Sequence, residues 1–209
     1  MADSSTETKK KLLESAKKEF LEKGFIGASL RTIAANAGVT TGAMYRHFKD
    51  KDAFFCALVD DVIDYVTQVV LVANTENHAH FDKESIENHM HFETEAARAL
   101  INYMYDNFDA FTLLLTKSAG STHEHFQDDV CDLYTKNFDK IYKWMYRQKI
   151  ATKKIPQMTV HTIASTVINA YCEIVLHKME KKDAIAYINS IIEYTNYGCM
   201  HMMGIIPQE

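Results

Sequence analysis

The sequence predicts an all-α protein of about nine helices. The chain has 7 glycines and 2 prolines among 209 residues, about a third of their usual share, which leaves little punctuation for the tight turns of a β-sandwich or barrel. Apolar residues recur at three- and four-residue spacing through most of its segments. Hydrophobic residues at 47% and charged residues at 24% are ordinary for a globular protein that buries a core.

Three short helices are predicted at the N-terminus. Amphipathic spacing covers residues 8–23, and two shorter helical pieces follow over residues 30–36 and 41–48. Serine or threonine stands before each of these two pieces, where a hydroxyl caps a helix, and Gly38 between them suits the left-handed end of a helix. Helix, glycine-containing turn and helix is the helix-turn-helix pattern.

The segment from Thr40 to Phe48 carries groups that bind DNA. Two hydroxyls and free backbone amides stand at its start, small residues follow at Gly42 and Ala43, and Tyr45 adds a phenolic hydroxyl. Such groups contact phosphates and base edges. The next helix, predicted over residues 51–74, would begin at this module. Met44 and Phe48, four residues apart, share a face and are predicted to lie in the core.

The remaining helices are read from periodicity and capping patterns. After a polar break at residues 74–83, helices are predicted over residues 85–107 and 108–117. Ser121 and Glu124 form a capping-box pattern. The pattern predicts a helix over residues 122–148, and two more are predicted over residues 160–178 and 183–203.

Charge is distributed unevenly along the chain. Residues 1–52 carry 10 lysines and arginines against 7 acidic residues, whereas residues 53–209 carry 13 against 21. A basic N-terminal end favours a polyanion partner, although a solvated charged surface explains so small an excess as well.

Cysteine spacing and apolar runs bear on compartment and cofactors. Cys56, Cys131, Cys172 and Cys199 form no Cys-x-x-Cys pair, which argues against a zinc site and a disulfide framework and favours a reducing cytoplasm. The polar N-terminus and the longest apolar run, residues 69–73, predict neither an export signal nor a membrane span. We therefore expect a cytoplasmic protein with no metal, no other cofactor and no membrane partner.

From Lys10 to about Leu58, with GFIGASLRTIAANAGVTTGAMYRHFKDKDAFFCAL at its centre, the chain resembles the N-terminal DNA-binding domain of the TetR family of transcriptional regulators. Outside this stretch the chain is similar to the family only in length and helical pattern. The resemblance implies a helix-turn-helix DNA-binding domain at residues 1–50 and an effector-binding and dimerisation domain at residues 51–209.

The resemblance also implies which residues meet double-stranded operator DNA. A recognition helix would lie in the major groove, and helix starts and basic side chains would hold phosphates. The implied DNA-binding residues are Ser29, Arg31, Thr40, Thr41, Gly42, Ala43, Tyr45, Arg46, His47 and Lys51. Arg46 either contacts DNA or lies on the outer face.

Aromatic and methionine side chains are frequent between residues 92 and 145. A helical core explains most of them, and a deformable apolar cavity uses the same residue types. The resemblance implies a small, largely apolar effector of unknown identity. The candidate ligand-binding residues are Phe92, Tyr103, Met104, Phe108, Phe111, Leu115, Tyr134, Phe138, Ile141, Tyr142 and Met145.

The last two predicted helices are strongly apolar on one face. The resemblance implies a two-fold homodimer through a four-helix interface, while packing inside the monomer explains the same pattern. The candidate interface residues are Val160, Ala164, Val167, Tyr171, Ile188, Ile191, Ile192, Thr195 and Met202.

Six of the ten histidines form three His-x-His pairs, and these are His78 and His80, His89 and His91, and His123 and His125. Residues two apart on a helix point about 200° from one another, so His89 and His91 cannot share an ion on a regular helix, whereas loop-borne His78 and His80 can. Solvated histidines are favoured. The alternative is a metal ion sensed through the histidine-rich region 78–125.

No enzyme motif is present in the sequence. It lacks a nucleophile elbow, a P-loop, a His-Glu-x-x-His motif and any Glu-x-x-His pair. We expect a ligand-responsive transcriptional regulator rather than an enzyme, most simply a repressor that an effector releases from a near-palindromic operator. The alternative class is a helical interaction protein without specific DNA binding.

Overall fold

The computed structural model describes the backbone of residues 2–72 and 83–205 and the side chains of residues 5–71 and 95–205. Within these ranges it contains nine α-helices and no strand, which confirms the predicted all-α class. A π-helical turn, Leu113–Lys117, continues the sixth helix. The helices are α1 Ala2–Gly27, α2 Leu30–Asn36, α3 Thr41–Met44, α4 Lys51–Val72, α5 Lys83–Asp106, α6 Phe108–Thr112, α7 Phe126–Arg147, α8 Gln157–Leu176 and α9 Lys181–Met203.

The first helix does not end at Gly24 as predicted. Gly24 leaves helical geometry with a φ of +69°, so that α1 is kinked there and continues to Gly27. Because the left-handed region costs a glycine little, the chain changes direction at this point without strain.

The seventh helix begins four residues later than the capping pattern predicted. Ser121 Oγ accepts a hydrogen bond from the His123 amide (3.1 Å), and the Glu124 carboxylate accepts one from the Gly120 amide (2.8 Å). Both side chains therefore stabilise a turn ahead of α7, and the prediction of a helix start at residue 122 was wrong. The first helical residue is Phe126.

The chain packs as two compact units. The first contains residues 1–64 and 107–126, and the second contains residues 65–106 and 127–209. These packing units differ from the predicted functional division at residue 50, which remains a prediction. Helix α6 and the π-helical turn pack against α1 in the first unit.

Aromatic side chains form the core of the first unit. Phe55 of α4 meets Phe20 and Phe25 edge to face, with ring centroids 5.4 and 5.5 Å away. Phe48 stacks on Phe54 at 3.9 Å. These contacts pack α4 against α1 and against the segment that follows α3. The start of α4 thus forms part of the core on which the helix-turn-helix is packed.

The second unit is held together by α9, which packs against α5 and α8. Tyr142, Met145, Ala151, Cys199 and Met203 form one buried cluster. Among the described residues, α8 is the one helix whose length and mean hydropathy of 1.2 match a membrane span. This is weak evidence for a span, since a core helix passes the same test and α8 buries seven side chains.

Candidate nucleic-acid interface

The start of α2 is fixed to α1 by hydrogen bonds. Ser29 caps α2, accepting the Thr32 amide on its Oγ at 3.4 Å, while its own amide donates to the buried Glu19 carboxylate at 3.1 Å. Ser15 Oγ donates to the Ile33 carbonyl at 2.9 Å. Because α2 is held at both its start and its middle, its exposed face has a defined direction.

The turn between α2 and α3 depends on Gly38. Its φ is +71°, and the amide of the next residue, Val39, donates to the Ala34 carbonyl at 3.0 Å. This is the hydrogen-bond pattern of a glycine-terminated helix. It sets the angle at which α3 leaves α2.

Helix α3 is anchored by one side chain and one cap. Met44 is fully buried, as predicted, and Thr40 Oγ1 accepts the Ala43 amide at 3.1 Å. The opposite face, with Thr41 and Gly42, is exposed. A Cβ built on Gly42 meets no atom within 4 Å. Because glycine has no side chain, the backbone at this position can come close to a DNA groove.

Unpaired hydrogen-bond donors surround this surface. Arg31, Tyr45 and Arg46 are exposed, and none has a hydrogen-bond or ion-pair partner in the described part of the chain. Tyr45 is 54% exposed despite its aromatic ring. His47 is half-buried. Two guanidinium groups and a phenol can bind phosphates and base edges.

Lys51 has a structural role that the sequence did not indicate. Its Nζ donates to the Ile26 and Ala28 carbonyls at 3.0 and 3.2 Å and lies 4.8 Å from the centre of the Phe25 ring. The predicted phosphate anchor thus already holds carbonyls at the end of α1. Lys49, in the segment after α3, has its side chain 83% exposed and lies 3.9 Å from the carboxylate of its neighbour Asp50.

Comparison with known proteins identifies this arrangement. The model of the family described as "Bacterial regulatory proteins, tetR family" matches residues 12–58, which contain α2, α3 and their caps. Over these residues the chain is similar to the DNA-binding region of the TetR family. The resemblance to the TetR family that the sequence indicated over residues 10–58 is thus confirmed by the family model.

Several TetR relatives are similar over part of the chain. AcnR of Corynebacterium glutamicum, a transcriptional repressor, is 34% identical over 68 residues, which are 32% of this chain and 36% of AcnR. TtgR of Pseudomonas putida, a transcriptional regulator, is 27% identical over 133 residues, 63% of this chain and 57% of TtgR. The chain thus matches less than two thirds of the length of these relatives.

Solved TetR structures share the fold over most of the chain. A regulator from Aquifex aeolicus aligns with a TM-score of 0.60 at 15% identity, covering 90% of this chain and 98% of that one. One from Syntrophomonas wolfei aligns with a TM-score of 0.58 at 18% identity, covering 92% and 96%.

The residues predicted to bind an effector are divided between the two compact units of the chain. Phe108, Phe111 and Leu115 belong to the first compact unit, and the others belong to the second. Phe138, Ile141, Tyr142 and Met145 lie in or against the buried cluster around Met203. Of the remaining candidates, Met104 is buried and Tyr134 is half-buried. The ring of Tyr103 stacks on that of Tyr65, with centroids 3.7 Å apart.

The Tyr142 hydroxyl is held by the backbone. It accepts the Ile155 amide at 2.7 Å and donates to the Lys153 carbonyl at 3.2 Å. Such pairing is typical of a structural tyrosine. The Phe92 side chain lies outside the described residues, as do the side chains of His89 and His91 and the whole of His78 and His80.

Two cavities in the second unit lie elsewhere. One, of about 330 Å³, is lined by Gln127, Asp128, Cys131, Asp132, His161, Ser165, Ile168 and Asn169. The other, an open groove of about 410 Å³ on α9, is lined by Ser190, Glu193, Tyr194, Tyr197 and Gly198. Neither contains a predicted effector-binding residue.

Most predicted dimer-interface residues pack inside the chain itself. Buried side chains in this set are Val160, Ala164, Val167, Ile188 and Thr195; half-buried ones are Tyr171, Ile191 and Ile192; Met202 is 40% exposed. The large apolar side chains that α8 and α9 expose most are instead Met158 at 71%, Tyr194 at 72% and Tyr197 at 60%. The three-residue spacing of Tyr194 and Tyr197 places both on one face of a helix, and this spacing is visible in the sequence.

Proposed function

We propose that the chain is a DNA-binding repressor that reads a near-palindromic operator as a homodimer, with α3 in the major groove. The observation that carries the proposal is the exposed surface of Arg31, Tyr45 and Arg46 beside the capped, Met44-anchored α3. Exposed donors without internal partners lose no protein contact when they bind DNA. Phosphate contacts position such a helix, and base contacts specify the sequence.

The sign of regulation is supported by relatives. AcnR of Corynebacterium glutamicum and BepR of Brucella suis are both transcriptional repressors, and BepR is 42% identical over 55 residues, 26% of each chain. We therefore propose repression.

The proposed dimer contact is the exposed face of α9. Tyr194 and Tyr197 project from it beside the groove that Gly198 lines, and a Cβ built on Gly198 meets no atom within 4 Å. Tyrosine side chains are frequent anchors in protein interfaces, and a glycine between them lets the backbone of a second helix come close. The proposed occupant is the same face of a second copy, because two reading heads require a two-fold axis to match a palindrome.

The proposed effector is a small, largely apolar molecule bound by the second unit. Aromatic and methionine side chains such as Phe138 and Met145 adapt to such ligands by changing rotamer. FadR of Bacillus subtilis, which shares the fold with a TM-score of 0.56 at 14% identity, was solved in complex with stearoyl-CoA. The effector releases DNA only if it binds the DNA-incompetent state more tightly.

The test is DNA binding by the purified full-length protein. Fragments selected from genomic and random libraries are labelled and titrated by fluorescence anisotropy over a salt series. We expect tight binding that weakens with salt, and a loss of at least about 100-fold in the Arg31→Ala/Tyr45→Ala variant, since each lost base or phosphate contact counts twice in a dimer.

The matched control is Arg147→Ala, which removes an exposed arginine from the far end of α7. It should bind like the wild type. If the double variant binds equally well, the proposed surface is wrong. If no fragment binds more tightly than random DNA, the chain is a helical interaction protein instead.

A further inference from the structure

Three potential metal ligands meet on the side of the first compact unit formed by α4. The Sγ of Cys56, a carboxylate oxygen of Asp60 and a ring nitrogen of His123 all lie within 4.8 Å of one another. Cys56 and Asp60 are one helical turn apart on α4, and His123 comes from the turn before α7. Asp60 is exposed and the other two are half-buried, so an ion can enter from solvent.

Two of the three separations fit ligands on one tetrahedral ion, and the third is at most 4.8 Å. The Nε2 atom of His123 is 3.4 Å from Cys56 Sγ and 3.3 Å from Asp60 Oδ1. Zinc bonds of about 2.3 Å to sulfur and about 2.0–2.2 Å to nitrogen and oxygen, at tetrahedral angles, place such atoms about 3.6 and about 3.4 Å apart. Thiolate, imidazole and carboxylate are together the donor set that zinc takes.

Hydrogen bonding pairs the Cys56 thiol with the Asp52 carboxylate at 3.7 Å and leaves one of the two contacts of His123 Nε2 unsatisfied. One imidazole nitrogen offers either one N–H or one lone pair, so Nε2 can make a good hydrogen bond to only one of Cys56 and Asp60. The distance of 3.3 Å to the carboxylate oxygen is also longer than an ordinary N–H···O bond. A cation between the three groups satisfies all of them at once.

The groups are held in place before any ion binds. Asp52, one turn before Cys56 on α4, accepts hydrogen bonds from both the amide and the hydroxyl of Thr122. The His123 amide donates to Ser121 Oγ at 3.1 Å. The residue next to the histidine is thus tied to the helix that carries the other two ligands, as the supporting contacts of metal sites require.

The same surroundings disfavour a reactive cysteine. Burial, together with the carboxylates of Asp52 and Asp60, raises the pKa of the Cys56 thiol to about 11. Redox-sensing and nucleophilic cysteines need the opposite, a stabilised thiolate near positive charge.

We propose that Cys56, Asp60 and His123 bind one Zn²⁺ ion per chain, with the fourth position taken by water. The ion would join α4 to the turn before α7. The three ligands belong to the first compact unit, and none of them is among the residues proposed to contact DNA. It uses a histidine of the region 78–125 together with a cysteine that no Cys-x-x-Cys spacing marks.

The test uses full-length protein stripped with a chelator under reducing conditions and titrated with Co²⁺, followed by displacement with Zn²⁺. We expect one equivalent per chain, with a thiolate-to-cobalt absorption band in the near ultraviolet. Cys56→Ser should remove this band, and His123→Ala and Asp60→Asn should weaken binding at least tenfold. Zinc at about one hundred times its Kd should raise the Tm by about 5–10 °C.

Two controls separate this site from other ligands. His125→Ala removes an exposed histidine two residues away, and Cys131→Ser removes a cysteine of the second unit. Both variants should keep the band and the affinity. Far-UV circular dichroism establishes that every variant is folded. The absence of stoichiometric binding in the wild type would overturn the proposal, as would a charge-transfer band that survives in Cys56→Ser.

Discussion

Helices α3 and α9 both expose tyrosine, and they do so for different reasons. Tyr45 follows a four-residue helix whose direction is set by the Thr40 cap, the Gly38 turn and the buried Met44. Tyr194 and Tyr197 lie on a 23-residue helix whose other face packs against α5 and α8. The exposed face of α3 is therefore fixed by nearby sequence, whereas that of α9 is fixed by distant parts of the chain.

This difference has a functional counterpart. A short helix held by a cap, a turn and one buried side chain has a single exposed face, which is the face proposed to meet DNA. A long helix divides its surface between its own core and other partners, and the division depends on which neighbours cover it. Variants of the two helices should separate these roles.

After the loss of DNA binding expected for Arg31→Ala/Tyr45→Ala, the largest effect is expected for the Tyr194→Ala/Tyr197→Ala variant. Removing two exposed aromatic anchors should raise the dimer dissociation constant at least about 30-fold, because interface tyrosines often contribute about 2 kcal/mol or more. The monomer should stay folded, since neither ring is buried. Sedimentation velocity over a concentration series measures the change.

The control for this variant is Leu71→Ala, which removes a 41% exposed apolar side chain from α4. It should leave the dissociation constant unchanged. A tyrosine variant that sediments like the wild type would show that a second copy does not dock on α9.

A smaller effect is expected for Tyr142→Phe in the second unit. The change leaves the Ile155 amide without its 2.7 Å acceptor and the Lys153 carbonyl without its donor, at a cost of about 1–2 kcal/mol in the free energy of unfolding. Urea denaturation measures it. A cavity-lining tyrosine would instead change effector affinity with little effect on stability.

Tyr146→Phe is the matched control on the same helix. Tyr146 packs against the same buried cluster, and its hydroxyl has no hydrogen-bond partner among the described residues. Removing the Tyr146 hydroxyl should change the free energy of unfolding by less than about 0.5 kcal/mol. Equal losses in the two variants would mean that ring packing, and not the hydroxyl pairing of Tyr142, stabilises this core.

The same contrast explains what the sequence could predict. The caps at Ser29 and Thr40, the turn at Gly38 and the buried Met44 and Phe48 follow from contacts within a few residues, and the structure has all of them. The number and type of the helices also follow, because each needs only its own periodicity.

Features made by distant residues could not be predicted. Lys51 binds carbonyls 25 and 23 residues earlier in the chain, and Cys56 meets His123 across 67 residues. An apolar stripe such as that of Val160 and Ala164 has the same pattern whether its own chain or a second copy covers it. Periodicity identifies the face but not its partner.

Effects no larger than that of Tyr142→Phe are expected for two glycines of the helix-turn-helix. A Cβ built on either Gly38 or Gly42 meets no atom within 4 Å, and only Gly38 has a positive φ, +71°. Gly38→Ala should therefore lower the free energy of unfolding by about 1–2 kcal/mol, the cost of a left-handed alanine. Gly42→Ala should keep or slightly raise stability, since alanine favours a helix.

The two variants should rank in the opposite order for DNA affinity, with Gly42→Ala weakened more than Gly38→Ala. The methyl group of Gly42→Ala stands on the surface proposed to approach the groove and should weaken binding, whereas the folded fraction of Gly38→Ala keeps that surface intact. Urea denaturation and anisotropy on the same preparations give both quantities. If Gly42→Ala binds DNA like the wild type, this face of α3 does not approach the groove closely, and contact must come from Arg31, Tyr45 and Arg46 alone.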